Sequence, residues 1–333
     1  MTSRLRIGIN GFGRIGRMVL RAAMTRDDIE VVAINDLLPI EHLAYLLKYD
    51  SVHGAFGHDV AAGADALDVA GRAIAAFREK DPAAIGGGDT GADIVIESTG
   101  RFLTSAEAEA HLRGGAGKVV LSAPPKDGTP VFVMGVNESA YAGERIVSNA
   151  SCTTNCVAPL TKLLNDAYGV DEALMITVHA VTAGQNTVDG VAAKDWRFGR
   201  GVFGNIIPAT TGAARMVGKV IPELNGRING MSVRVPVADV SMVDLTLKLR
   251  KKASYDEISA LVKEAATNGP KGVFDYVDEP VVSTDLRGNA HSTIYDALAG
   301  MQTGDGLTKL IAWYDNEWGY ANRCLDLAAH IAA

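Results

Sequence analysis

The stretch Leu5-Arg6-Ile7-Gly8-Ile9-Asn10-Gly11-Phe12-Gly13-Arg14-Ile15-Gly16 reads as a short strand, a glycine turn and the start of a helix running from about Ile15 to Met24. This is G-x-G-x-x-G in a strand–turn–helix setting. Gly11 permits the tight turn, and Gly13 lets the backbone approach a pyrophosphate at the helix N-terminus. Gly16 lets the helix press on the sheet. Glycine-rich turns are common, so the motif alone is weak. It gains force from the next strand, Ile29 to Ile34, which ends in Asn35-Asp36. Asp36 stands twenty residues beyond Gly16, where a carboxylate can accept hydrogen bonds from ribose hydroxyls. A helix-cap role for Asp36 is the competing reading.

Outward from this unit the alternation continues. Glu41 to Lys48 has helical spacing, Asp65 to Arg78 gives short strands broken by glycine, and Ala92 to Glu97 is a buried-strand run ending in Ser98-Thr99-Gly100. A helix near Ala106 to Leu112 leads to strand Lys118 to Ser122. Strands at Val131 to Val136 and Arg145 to Ser148 follow. Gly86-Gly87-Gly88 reads as a surface loop. Strands alternating with helices predict a doubly wound, mostly parallel sheet whose ligands sit beyond the strands' carboxyl ends.

The texture changes after Ser148-Asn149-Ala150-Ser151-Cys152-Thr153-Thr154-Asn155-Cys156. This segment joins a short strand to a helix spanning Val157 to Tyr168. Its hydroxyl and amide side chains can cap that helix. Cys152 falls in the first turn, where unpaired N–H groups and the helix dipole favour thiolate. Cys156, one turn deeper, reads as packing. Beyond it, Ala173 to Ala180 is a strand with His179 near its end, and Thr182 to Asn205 is a long segment with little periodicity. Strands at Ile228–Val235, Val240–Leu249, Thr293–Asp296 and Thr308–Tyr314, with a helix at Tyr255–Ala266, predict an α+β domain built on an antiparallel sheet.

The 333 residues are ample for two domains, and 47% hydrophobic with 21% charged residues is ordinary globular composition. A net charge of −7 without a basic stripe argues against nucleic acid as a partner. Three cysteines argue against a disulfide scaffold and for a reducing compartment. No signal-peptide pattern and no bilayer-length apolar run stand out, so a cytoplasmic protein without membrane contact is expected.

The nonapeptide around Cys152 resembles the active-site segment of phosphorylating glyceraldehyde-3-phosphate dehydrogenases. So do NGFGRIGR at 10–17, ESTGRF at 97–102, SAPPK at 122–126, TVDGVAAKDWR at 187–197, NIIPATTGAA at 205–214, PELNGRINGMSVRVP at 222–236 and WYDNEWGY at 313–320. The resemblance runs from the first strand to the last helix. It implies a Rossmann-type NAD-binding domain at 1–150, joined by a returning terminal helix at 317–333. A catalytic domain at 151–316 and a homotetramer are also implied.

Carried over residue by residue, the resemblance makes Cys152 the nucleophile and His179 the base, paired as thiolate and imidazolium. Gly11, Gly13, Arg14, Ile15, Gly16, Asp36, Arg78, Thr99 and Ser122 would serve NAD, with Asn316 orienting the nicotinamide amide. Thr182 and Arg234 match the site for the phosphate of a triose phosphate substrate. Ser151, Thr153, Thr211 and Gly212 match the site for attacking inorganic phosphate. No metal is implied. Gly184 stands where many members have threonine, Val191 where many have proline, and Phe198 where some have arginine. Erythrose-4-phosphate dehydrogenase is the nearest alternative, and a redox-sensing or surface-binding protein on the same scaffold is an alternative of another class.

Overall fold

The computed structural model describes residues 4–193, 195–304 and 306–333; Lys194, inside the 187–197 motif, lies outside them. The chain divides into two compact units. The first runs to Phe132 and adds Glu138–Ala150 and Ala321–Ala333, and the second comprises Val133–Asn137 and Ser151–Tyr320.

The first unit contains β1 (Leu5–Asn10), α1 (Arg14–Ala23), β2 (Ile29–Asn35), α2 (Ile40–Lys48), β3 (Val60–Ala62), β4 (Ala66–Val69), β5 (Arg72–Phe77), α3 (Gly87–Thr90), β6 (Ile94–Glu97), α4 (Ser105–Arg113), β7 (Lys118–Leu121) and β8 (Ile146–Ser148). They form one sheet in the order β3-β4-β5-β2-β1-β6-β7-β8. Pairing is parallel from β5 to β8 and antiparallel only at the β3-β4-β5 edge. The strand order therefore reverses between β1 and β6, where such sheets open a crevice for ligands. Ile7, Ile9, Ile34, Ile94 and Ile96 are buried in the sheet, and Met18, Val19 and Leu20 of α1 are buried with them. Each such side chain stabilises the fold by about 1.5–3 kcal/mol, which fixes β1, β2 and β6 as a rigid floor.

Two segments depart from expectation. Residues 131–136 make a single bridge from Val131 to Ser148 and then turn. Asn137 Oδ1 accepts the Val133 N–H (2.9 Å) and Gly135 takes φ +79°, so local bonds replace the ladder. Gly87–Thr90 is a short helix rather than a loop. At the other end of the chain, Ala321–Ala333 belongs to the first unit. Asp326 pairs with Arg26 (2.5 Å) and Arg323 (2.7 Å), and Lys118 donates to Ile331 O.

The second unit contains α5 (Cys152–Tyr168), β9 (Val170–His179), β10 (Ile207–Thr210), α6 (Ala213–Val220), β11 (Ile228–Arg234), β12 (Ser241–Leu249), α7 (Tyr255–Asn268), β13 (Phe274–Val277), β14 (Thr293–Thr303) and β15 (Leu307–Tyr314), and the chain ends in α8 (Trp318–Ala332). The sheet order is β10-β11-β9-β12-β15-β14-β13. Most pairs are antiparallel, as strand length suggests, but β9–β11 and β13–β14 are parallel. The parallel β9–β11 register sets Arg234 opposite His179. β14 runs past Asp296 after an irregularity between Asp296 and Met301. Its outer half is largely exposed, so it carries no core pattern for sequence reading to catch.

Candidate active site

In the first unit the carboxyl ends of β1, β2 and β6 frame a cleft of about 530 Å³, lined by Gly11, Gly13, Asp36, Lys80, Ser98 and Thr99 among others. Its floor requires glycine at two points. A Cβ on Gly11, whose φ is +91°, would lie 2.6 Å from the Thr99 N, and one on Gly16 would lie 2.1 Å from Gly11 O. At Gly13, the residue before α1, a Cβ would meet nothing within 4 Å. That space lies where a pyrophosphate would rest against the helix N-terminus, so the residues present fit a dinucleotide. The Asp36 carboxylate is fixed by two N–H donors, Phe12 (2.8 Å) and Leu38 (3.3 Å). A carboxylate has about four acceptor positions, which leaves room for ribose hydroxyls.

Beneath the cleft lies a buried polar cluster that the sequence reading missed. Glu97 Oε1 accepts the N–H (2.7 Å) and hydroxyl of Thr99, while Glu97 Oε2 accepts from Asn10 Nδ2 (2.6 Å) and meets His111 Nε2 (2.9 Å). Glu97 therefore holds Thr99 in place, and its signal in the sequence is a carboxylate closing an apolar run. Other expected residues are held by neighbouring groups. Arg14 pairs with Asp50, whose carboxyl is driven up by burial but brought down to about 2 by the His53 and Val52 N–H groups and Arg14. Arg78 Nε donates to Leu37 O (2.8 Å), and the Ser122 N–H donates to Glu97 O (2.9 Å). Arg14, Ile15, Arg78 and Ser122 do not line the cleft, whereas Lys80, Arg101 and Phe102 do.

In the second unit the chemistry gathers where α5, β9 and β11 end. Ala150, fully buried with φ +55°, turns the chain sharply into α5. Ser151 caps that helix, its Oγ accepting the Thr154 N–H at 3.1 Å. Cys152 is thus the first helical residue, and its sulfur lies 3.5 Å from His179 Nε2. Arg234 Nη1 reaches His179 Nδ1 (2.6 Å) and Ala180 O (3.2 Å), while Nδ1 itself lies 2.7 Å from Ala180 O.

Burial and charge pull on the expected thiolate–imidazolium couple in opposite directions. Burial raises the Cys152 thiol pKa, against the opposing pull of Arg234 and the Thr153 and Cys152 N–H groups. Burial and the Arg234 charge push His179 down to about 4. Cys156, fully buried, is raised much further by burial and is inert packing.

The residues expected to bind phosphate fall into two sets. Thr153 lies in the first turn of α5, its hydroxyl 2.8 Å from Tyr314 OH, which also meets Thr177 Oγ1 at 2.8 Å. Thr211 and Gly212 immediately precede α6, where Thr211 Oγ1 accepts the Ala213 N–H (3.2 Å). Helices α5 and α6 pack together, so two helix starts carrying free N–H groups come from one packed pair. The other set is Arg234 and Thr182. Thr182 donates its N–H (2.6 Å) and hydroxyl (3.0 Å) to Gln185 Oε1, while Gln185 Nε2 is buried without a partner. Asn316 is buried, with Ser241 Oγ donating to its Oδ1 at 2.6 Å. Sequence reading gave no role to Gln185, Tyr314 or Ser241; Gln185 acts locally on Thr182, while Tyr314 and Ser241 meet Thr153 and Asn316 only once the chain has folded.

Sequence profiles of known families match both halves. One described as "Glyceraldehyde 3-phosphate dehydrogenase, NAD binding domain" covers residues 5–105, and its "C-terminal domain" counterpart covers residues 151–316. "Glyceraldehyde-3-phosphate dehydrogenase" of Bacteroides fragilis is 55% identical over 331 residues, 99% of each chain. The protein of the same name from Colletotrichum lindemuthianum is 54% identical over 329 residues, covering 98% of this chain and 97% of its own. "Glyceraldehyde-3-phosphate dehydrogenase A" of Escherichia coli is 55% identical over 328 residues, 98% of this chain and 99% of its own.

Proposed function

Because the chain belongs to the glyceraldehyde-3-phosphate dehydrogenase family, we propose that Cys152 is its nucleophile, His179 its base and Arg234 the cation that holds the substrate phosphate. The protein oxidises glyceraldehyde 3-phosphate with NAD. The observation carrying the residue-level reading is the Cys152 sulfur, 3.5 Å from His179 Nε2 at the start of α5. Dinucleotide binding falls to the first unit, at Gly11, Gly13, Asp36, Ser98 and Thr99 of the cleft. Asn316, steadied by Ser241, orients the nicotinamide amide.

The sulfur attacks the aldehyde carbon while its proton passes through His179 Nε2 to the former carbonyl oxygen, giving a thiohemiacetal. Unpaired N–H groups in the first turn of α5, with His179, stabilise the charge on that oxygen. NAD, when bound, supplies the hydride acceptor. His179 removes the hydroxyl proton as the thioester forms on Cys152. Inorganic phosphate, held by Ser151, Thr153, Thr211 and Gly212, then attacks the thioester carbon. Acyl phosphate leaves and the Cys152 sulfur is regenerated.

Retention of Thr153, Thr211 and Gly212 at two helix starts favours phosphorolysis over the hydrolysis expected of an erythrose-4-phosphate dehydrogenase. A homotetramer in the cytoplasm, with neither nucleic acid nor membrane as partner, completes the reading. No helix among the described residues is long and apolar enough to cross a membrane. The test is NADH formation from glyceraldehyde 3-phosphate with and without phosphate or arsenate. Turnover that depends on either anion supports the reading, and turnover indifferent to both refutes it.

A further inference from the structure

The carboxyl ends of β2, β1 and β6 each carry one polar residue at the same level. The parallel register sets Asn35 opposite Asn10 and Asn10 opposite Glu97, so the three form a row across the sheet. Asn10 and Asn35 help to line the dinucleotide cleft, and none of the three is more than 4% exposed. Polar groups this deeply buried are costly unless each is paired, and here each is.

The direction of every bond in the row is fixed from its two ends. The Glu79 N–H can only donate, so the atom it reaches at 2.8 Å is Asn35 Oδ1. Asn35 Nδ2 then donates to Glu79 O (2.9 Å) and to Asn10 Oδ1 (2.7 Å), which turns Asn10 Nδ2 toward Glu97 Oε2 (2.6 Å). From the other side, the Thr99 N–H donates to Glu97 Oε1 at 2.7 Å, and the Thr99 hydroxyl donates to the same oxygen. Both oxygens of Glu97 therefore accept, and neither amide can flip without setting donor against donor. The Thr99 oxygen accepts the Arg101 N–H (3.1 Å), so its hydroxyl keeps one lone pair for the cleft and no proton.

We infer that Glu97 is a positioning residue for NAD: through Asn10 and Asn35 it fixes the Thr99 side of the cleft relative to the Asp36 side, and it presents the Thr99 hydroxyl to the dinucleotide as an acceptor. This inference rests on the assignment of the cleft to NAD. Asn35 immediately precedes Asp36, so the row ends at the carboxylate expected to meet the ribose. His111 of α4 closes the row from outside the sheet, its Nε2 2.9 Å from Glu97 Oε2. Glutamine at position 97 would keep the size of the side chain but offer one acceptor oxygen in place of two. Whichever way its amide turned, either the Thr99 donors or Asn10 Nδ2 would lose an acceptor. The row belongs to the first unit and Cys152 and His179 to the second, so the fault should fall on NAD affinity rather than on the bond-making steps.

The test is calorimetric titration of NAD into the intact protein, with kcat and both KM values measured alongside. Glu97→Gln should raise the NAD Kd about tenfold or more, while kcat at saturating NAD and KM for glyceraldehyde 3-phosphate stay within about twofold. Asn10→Asp alone sets two carboxylates together and should also weaken NAD. Asn10→Asp combined with Glu97→Gln should bind NAD within about threefold of the unsubstituted protein. In that pair the carboxylate at position 10 accepts from Asn35 and from the amide at position 97, whose oxygen serves Thr99. An unmoved Kd in Glu97→Gln, equal losses in Kd, kcat and aldehyde KM, or a combined variant no better than the weaker single one overturns the inference alone. If the position 97 variants do not fold, Thr99→Val decides: its NAD Kd should rise several-fold and Thr99→Ser should restore it, and an unmoved Kd overturns the inference. Absence of NAD binding by the unsubstituted protein overturns the cleft assignment and the inference together.

Discussion

Replacing Asp36 with asparagine should relax the choice between NAD and NADP, and the structure sets the scale. The carboxylate is pinned at the cleft by the Phe12 and Leu38 N–H groups, so it cannot swing away from a ribose 2′-phosphate. Two unit charges about 4 Å apart repel by roughly 1–4 kcal/mol for effective dielectric constants between water and a protein surface. Lys80 and Arg101 line the same cleft and offset part of that repulsion, which places the expectation near the middle of the range. A penalty of about 2 kcal/mol corresponds to roughly 30-fold preference for NAD in kcat/KM. Asp36→Asn keeps an acceptor for the Phe12 N–H, so the turn survives, while the charge is gone. The assay is kcat/KM for both cofactors at saturating aldehyde and phosphate. NADP should gain about tenfold or more and NAD should lose several-fold as its ribose contacts weaken. Comparable efficiencies in the unsubstituted protein, or a ratio unmoved by the substitution, would refute Asp36 as the discriminating group.

Three further outcomes follow from named contacts. His179→Asn should slow single-turnover hydride transfer by roughly 10²–10⁴-fold, and an unchanged rate would make the imidazole structural. Arg234→Ala should cost about 10–150-fold in kcat/KM on glyceraldehyde 3-phosphate and little on unphosphorylated glyceraldehyde, whereas equal losses would assign the arginine to the fold. The Asp50 carboxyl sits at about 2 in the folded protein, below its unfolded value, and its side chain is 1% exposed. Its contribution is complete above the unfolded value of about 3.9 and disappears as pH falls through the folded one, a span worth about 2–3 kcal/mol. In urea unfolding, the stability gap between the unsubstituted protein and Asp50→Asn should therefore close by that amount toward pH ~2; a pH-independent gap would contradict it.

Much of the first unit was legible because its devices are local. Gly16 is forced by its approach to Gly11 O within one strand–turn–helix, Gly11 by its own φ of +91° as well as by the more distant Thr99, and Asp36 follows at the end of the adjacent strand. Parallel strands buried on both faces announce themselves as short apolar runs, as Ile94–Glu97 does. The capping role of Ser151 and the place of Cys152 at the head of α5 are equally local. What stayed hidden depends on register. The parallel pairing of β9 with β11 brings Arg234 against His179 across 55 residues of sequence, where its charge adds to burial in lowering the imidazole pKa. A cysteine at a helix start favours a thiolate, as the neighbouring Arg234 does, while burial, which the sequence does not show, opposes it. The strand β10 and helix α6 escaped because each is short, and β13 has only four residues, of which Phe274 alone is buried.

The central claim is that oxidation proceeds through a thioester on Cys152, and it is tested most directly by trapping that intermediate. The protein is mixed with NAD and glyceraldehyde 3-phosphate without inorganic phosphate, quenched rapidly, and analysed by intact mass and peptide mapping. The account predicts a phosphoglyceroyl adduct on Cys152, formed together with a burst of NADH and discharged when phosphate is added. Cys152→Ser should give neither adduct nor burst. An adduct on Cys156 or Cys324, or a full NADH burst from the serine variant, would contradict it.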